Sequence, residues 1–144
     1  MVRRITSHDR EVYIKLATEF YNSDAVISSI PRENIIITFN EMLSSNNYAE
    51  GFLLECDDKI VGYALLAKTF SQEAGGLTIW IEELYVRKEY RGRGLGSEFF
   101  EFLEKNFPAA RYRLEIEPDN ERAISLYEKW GFKPLHYGQM IKQN

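Results

Sequence analysis

Two stretches of this sequence have the residue types and spacing of reactive chemistry. The first is Arg91-Gly92-Arg93-Gly94-Leu95-Gly96-Ser97. Three glycines within five residues let the backbone bend with few Cβ clashes and aim several N–H groups at one spot. The apolar spacing of Phe99, Phe100, Phe102 and Leu103 then predicts a helix, whose unpaired first-turn N–H groups and positive dipole end favour an anion. Glycine turn and helix together predict a phosphate cradle, with Arg87, Lys88, Arg91 and Arg93 supplying positive charge. The second stretch is the pair Glu82-Glu83 inside the apolar run from Leu77 to Val86. A run apolar on both faces reads as a central strand covered on both sides, so at least one of these carboxylates sits in a partly dry setting. Such burial is rare without a partner or a purpose and raises a carboxyl pKa toward that of a general base.

Spacing excludes two familiar phosphate loops. A nucleoside-triphosphate loop ends Gly-Lys-Ser/Thr, whereas this one ends Gly94-Leu95-Gly96-Ser97, without the lysine that reaches the outer phosphates. A dinucleotide fingerprint counted from Gly92 or Gly94 needs a third glycine at Ser97 or Phe99, and neither is one. Cys56 is the lone cysteine and His8 and His136 are the two histidines, so no internal disulfide forms and no metal site is expected. Cys56 has no neighbouring base to activate it as a nucleophile. The net charge of −4 argues against non-specific nucleic-acid binding and suits a cationic substrate.

The elements that position these residues follow from periodicity. The 144-residue chain, 44% hydrophobic with nine Tyr and nine Phe, is the size of one domain, 1–144, with a substantial core. No apolar run is long enough to span a bilayer and no targeting segment is apparent, so a cytoplasmic location away from membranes is expected. Val2 to Thr6 reads as a strand, and Ser7 as the cap of a helix bearing Tyr13, Leu16, Ala17 and Phe20 on one face. Pro31 opens a second helix with Ile35, Ile36, Phe39, Met42 and Leu43 on one side. Gly51 to Cys56 and Lys59 to Thr69 read as antiparallel strands joined at Asp57-Asp58. In the strand Leu77 to Val86, strict alternation sets Trp80, Glu82, Leu84 and Val86 on one face and Ile79, Ile81, Glu83 and Tyr85 on the other. Arg111 to Glu117 alternates as a further strand, and Pro118-Asp119-Asn120 opens a last helix striped by Ala123, Leu126, Tyr127 and Trp130 and capped by Gly131. Phe132 to Ile141 is expected to close the sheet as one or two final strands.

The pattern Arg/Gln-x-x-Gly-x-Gly/Ala, met by Arg91, Gly94 and Gly96 between strand and helix, resembles the acyl-CoA loop of the GNAT N-acetyltransferase superfamily. A second signature of that superfamily is matched downstream, from Asn120-Glu121-Arg122-Ala123 through Leu126-Tyr127 to Trp130-Gly131-Phe132. The resemblance covers most of the chain and implies an α/β fold with a mixed, mostly antiparallel sheet of six to seven strands flanked by about four helices. It implies acetyl-CoA as cosubstrate, its pyrophosphate on Arg91, Gly92, Arg93, Gly94, Leu95, Gly96 and Ser97. The pantetheine arm would lie along Leu84, Tyr85 and Val86 and reach Asn120. Tyr127 matches the family tyrosine that protonates the departing thiolate. Diamine acetyltransferases carry a similar acidic pair, the first acid being the base, which assigns that role to Glu82 with Glu83 as the alternative; a pair that merely binds the cationic substrate is equally open. Asp24 and Glu33, in the helix-loop-helix that forms the acceptor pocket in the family, are candidate contacts for the amine. The activity implied is acetyl transfer to a primary amine of a small molecule, by direct attack in a ternary complex. A protein N-terminus or lysine as acceptor, and a non-catalytic acyl-CoA sensor, are the alternatives. Family members are often dimers, so a homodimer is a further expectation.

Overall fold

The computed structural model describes all residues, 1–144. Five strands, β1 (Val2–Arg4), β2 (Ala49–Cys56), β3 (Lys59–Ser71), β4 (Gly76–Val86) and β5 (Arg111–Leu114), form one sheet in sequential order. All neighbours are antiparallel except β4 and β5, which run parallel. Four helices cover the sheet: α1 (Arg10–Tyr21), α2 (Arg32–Ser44), α3 (Leu95–Asn106) and α4 (Glu121–Lys129).

Strand alternation divides the core in two. Leu53 and Tyr63 face α1 and α2, packing with Tyr13, Leu16, Phe20, Ile35 and Phe39. Phe52, Leu54, Ala64 and Leu66 face the other way, onto Phe99, Phe100 and Leu103 of α3. The expected stripe of α1 is the buried one, whereas Leu43 of α2 is exposed. The β2–β3 turn is tight because Asp57 and Asp58 both take positive φ, 52° and 59°, the hairpin geometry that short polar side chains tolerate.

The N-terminal region is tied down differently from the capping expected at Ser7. Thr6 is the cap residue and Asp9 reaches back to it, its Oδ2 accepting from the Thr6 N–H at 2.8 Å. Asp9 also takes a bidentate fork from Arg3, both contacts at 2.9 Å, and that guanidinium holds its carboxyl at a pKa of about 2.

Two expectations are corrected. The sheet has five strands and not six to seven, because Phe132 to Ile141 forms no strand and the expected 111–117 strand stops at Leu114. Alternation alone does not make a strand. A ladder needs a partner edge, and Pro134 and Gly138 weaken this segment further. The faces of β4 also differ from strict alternation. Leu65 pairs with Glu83 and Leu66 with Ile81, which leaves Glu82 as the extra residue of a β-bulge. Past the bulge the side chains change sides. Ile79, Ile81, Leu84 and Val86 pack toward α3, while Tyr85 packs with the α1/α2 core and Glu83 turns to Tyr21 of α1 and Tyr63 of β3.

Candidate active site

β4 and β5 pair only from Thr78↔Arg111 to Ile81↔Leu114. Beyond Ile81 they part, and β4 runs on to Val86 with no strand on that edge. The N–H of Arg87 donates to the carbonyl of Val61 in β3, so alternation turns the backbone groups of Val86 and Leu84 toward the open edge. A groove of about 990 Å³ fills the gap. Its walls are the end of β4, the chain after β5, the first turns of α3 and α4, and the loop after α1.

The glycine turn forms one end of this groove. Gly92 and Gly94 adopt left-handed backbone, φ 76° and 84°, which side chains with a Cβ resist. Gly94 precedes α3 and offers no side-chain cap, so the first-turn N–H groups of this 12-residue helix face outward unpaired. Nothing lies within 4 Å of the place a Gly94 Cβ would occupy. Gly96 differs from the other two. It lies in the helix, and a Cβ there would come within 2.6 Å of Leu126 Cδ2, so its smallness lets α4 approach α3. Lys88, Arg91 and Arg122 line the groove at this end. Arg122, on α4, comes within 3.7 Å of the Gly92 Cβ position; sequence reasoning missed it, because only the topology returns α4 to the start of α3. Arg93 faces elsewhere, onto Asp57 at 3.1 Å and over the ring of Tyr90. Arg87 is held by a two-pronged pair with Glu19 of α1, both contacts at 2.9 Å.

The other end is acidic. Glu82, Glu83, Glu115, Glu117, Asp119 and Asp24 all line the groove, whereas Glu33 does not. Glu82, projected by the bulge, opens onto the groove. The protein around it nevertheless desolvates it, and this first, then the charge of Glu115, raises its pKa. From Glu82 to Val86 is four residues of strand, about 13 Å at ~3.3 Å each, which separates the acidic end from the basic turn.

Glu83 is only 6% exposed. Its two oxygens accept from Tyr21 Oη at 2.9 Å and Tyr63 Oη at 3.0 Å, and no cation pairs with it. Burial outweighs these two hydrogen bonds and pushes its pKa up to about 6. A carboxyl whose folded pKa exceeds its unfolded value of 4.5 binds a proton in the native state that the unfolded chain has released. Its contribution to stability therefore falls as pH rises from about 4.5 to 6, by about 2 kcal/mol, and stays low above that. Glu83→Gln is expected to remove this slope. Thermal melts at pH 5 and pH 7.5 should show the wild type losing more stability over that interval than the variant; equal losses would show that Glu83 titrates normally.

Tyr127 stands on α4 with its ring against Phe100 and Phe132, centroids 5.9 and 6.0 Å away. It lines the groove, no protein group hydrogen-bonds its hydroxyl, and burial raises its pKa. Asn120 caps α4, its Oδ1 accepting from the Ala123 N–H at 3.2 Å, and also lines the groove. Of the other residues read from the sequence, Leu84, Tyr85, Val86, Arg91, Gly92, Gly94, Leu95, Gly96 and Ser97 line it as well. Arg91 is partly engaged, its Nε donating to the Val86 carbonyl at 2.7 Å. No cluster of His, Cys, Asp or Glu has the make-up of a metal site, and no helix is long and apolar enough to cross a membrane.

A sheet split beside an uncapped glycine-rich helix start, with a tyrosine and the Glu82 carboxylate facing the gap, is the frame of an acyl-CoA-dependent transferase. The family model for the acetyltransferase (GNAT) family matches residues 11–132; the chain belongs to this family, whose cosubstrate is acetyl-CoA. It is 33% identical over 81 residues to a thialysine N-epsilon-acetyltransferase of Sus scrofa, covering 53% of this chain and 46% of that protein. It is 35% identical over 79 residues to N-alpha-acetyltransferase 30 of Schizosaccharomyces pombe, covering 53% and 52%. The chain thus spans about half the length of the curated relatives it matches. Among solved structures, AAC(6')-Iy in complex with the bisubstrate analog CoA-S-monomethyl-acetylneamine superposes with a TM-score of 0.81 over 100% of this chain and 97% of that one, at 13% identity. At that identity the likeness is one of fold.

Proposed function

We propose that this chain is an acetyl-CoA-dependent N-acetyltransferase acting on a primary amine of a small molecule, by direct attack in a ternary complex. The observation that carries the reading is that one groove joins an anion-binding end to an acidic end through an open strand edge. Acetyl-CoA fits these residues. The pyrophosphate has uncapped α3 N–H groups, Arg91, Arg122 and Lys88 to meet it, and the amide-rich pantetheine arm has the open edge at Leu84 and the Val86 N–H to join as an added strand, the Val86 carbonyl being held by Arg91. Asn120 remains a contact for that arm through its side-chain amide. Arg93 has a smaller part, being engaged with Asp57.

At the acidic end Glu82 accepts the proton of the incoming ammonium, and the neutral nitrogen attacks the thioester carbonyl carbon. The N–C bond forms and the C–S bond breaks. A backbone N–H at the open edge stabilises the carbonyl oxygen. Tyr127 supplies a proton to the departing thiolate and regains one from the acylated nitrogen through water. Glu83, buried behind Tyr21, holds the wall in place and is the lesser candidate for base. The acidic lining suits an acceptor with more than one positive charge, in keeping with the thialysine acetyltransferase among the relatives. A peptide α-amine is the second reading, favoured by the yeast relative.

Following CoA thiol release with purified protein, acetyl-CoA and a panel of diamines, polyamines, lysine analogues, aminoglycosides and peptides tests this. Turnover is expected with small di- and polycationic amines. Turnover with peptides alone would favour the second reading. Acetyl-CoA binding with no acceptor raising thiol release above hydrolysis would leave a non-catalytic acyl-CoA sensor.

A further inference from the structure

The last pair but one of the β4–β5 ladder, just before the strands part, is Trp80↔Arg113. Ile79 and Ile81, on either side of Trp80, pack toward α3, so the indole points to the opposite face, the one that Glu83 shares. Trp80 packs in neither half of the core and is half-buried. Arg113 stands over it, its guanidinium carbon 4.3 Å from the ring centroid. Stacking on an aromatic face fixes a guanidinium in place while leaving its N–H groups free to donate.

Those N–H groups have no acceptor in the protein. Two residues earlier on the same side of β5, Arg111 is neutralised by Glu73 at 3.3 Å, whereas Arg113 makes no ion pair and no hydrogen bond, and the indole is its partner. Two residues later comes Glu115, which lines the acidic end of the groove. Arg113 thus stands next to the acidic end without being consumed by it. A free, positioned guanidinium fork matches a carboxylate and repels an ammonium. A plain polyamine makes no use of it.

We infer that the acceptor is an amino acid with a side-chain amine: its carboxylate lies on Arg113, its α-ammonium meets Glu115, and its side-chain amine reaches Glu82. The spacing agrees. Trp80 and Glu82 are two residues apart on β4, about 7 Å at ~3.3 Å each. The terminal nitrogen of an extended lysine is roughly 7 to 8 Å from its carboxylate carbon, at bond lengths of about 1.5 Å. An α-amine, one carbon from its carboxylate, does not span that gap. This inference rests on the acetyltransferase reading and narrows its acceptor.

Kinetics with a matched pair of acceptors test it: lysine, and 1,5-diaminopentane, which is lysine without the carboxylate. The wild-type kcat/KM is expected to favour lysine by about 10- to 100-fold, the range for a charge-assisted fork, with the acetyl group found on the side-chain nitrogen by fragmentation mass spectrometry. Arg113→Gln should abolish this preference, mainly by raising KM for lysine. Arg113→Lys, which keeps the charge and loses the fork, should retain part of it. A wild type that uses the diamine as well as lysine overturns the inference, as does acetylation of the α-nitrogen. So does an Arg113→Gln variant that loses activity on both acceptors by the same factor, the mark of a packing role. Those outcomes leave the acetyltransferase reading standing; that reading fails, and the inference with it, when no amine raises CoA release above hydrolysis. Should Arg113→Gln fail to fold, the wild-type preference for lysine over its methyl ester, which keeps both amines and removes the negative charge, decides.

Discussion

Tyr127→Phe is expected to lower kcat by about 100-fold while acetyl-CoA binds within about twofold of its wild-type affinity. The ring keeps its contacts with Phe100 and Phe132 in the variant, so the fold loses only a hydroxyl that no protein group engages. That hydroxyl lies on the groove, and burial raises its pKa, which keeps it protonated at neutral pH. A thiol of pKa about 8.5 is a stronger acid than tyrosine at about 10. Full proton transfer to the thiolate is therefore uphill by more than one pKa unit, and the benefit comes from a hydrogen bond that strengthens as the C–S bond breaks. This places the effect at the low end of the general-acid range, about 10² to 10⁴. Pre-steady-state kinetics with saturating acetyl-CoA measure it, and a chemical step as fast as wild type would assign Tyr127 to packing alone.

What was legible in the sequence is what depends on local backbone. The glycine turn could be read because Gly92 and Gly94 need left-handed φ and a helix follows at once; the hairpin at Asp57-Asp58 likewise. The parts that escaped depend on how elements meet. Gly96 read as one more flexible hinge, but its requirement is steric, set by Leu126 thirty residues later. Arg93 and Arg122 look alike in sequence, and only the return of α4 toward α3 turns one to the groove while Asp57 holds the other away.

The bulge in β4 is the most consequential feature that alternation missed. It inserts one residue without altering composition, so the hydrophobic pattern on either side still reads as a strand. Two adjacent carboxylates were the visible signal, and the bulge explains how both are accommodated. Glu82 goes to the groove as the extra residue, and Glu83 goes under α1 to Tyr21 and Tyr63. The final strands failed for a related reason: residues 133–141 have the alternation of a strand, but their own chain pairs no edge with them.

This division of the two carboxylates sets the last expected result. Glu82→Gln should reduce turnover of a lysine-like amine by about 10² to 10³ at pH 7, with a defect that shrinks toward alkaline pH. An amine of pKa about 10.4 is only about one part in 2,500 neutral at pH 7, a deficit of about 4.6 kcal/mol, and a carboxylate within the site takes the proton locally so that bound ammonium can be used directly. Without Glu82 the reaction depends on amine deprotonated in bulk water, and that fraction grows tenfold per pH unit. The ratio of wild-type to variant kcat/KM should therefore fall steeply between pH 7 and 9.5. Wild-type activity should itself be lost on the acid side at a pH above the usual carboxylate range, because desolvation and then the charge of Glu115 raise the pKa of Glu82. A variant whose KM for the amine rises while kcat holds, with a defect independent of pH, would show that Glu82 binds the cation and leaves its proton to water. Glu83→Gln is the control. Its carboxyl lies behind the hydroxyls of Tyr21 and Tyr63, so its loss should change stability with pH more than it changes the rate. The reverse order of effects would move the base to Glu83.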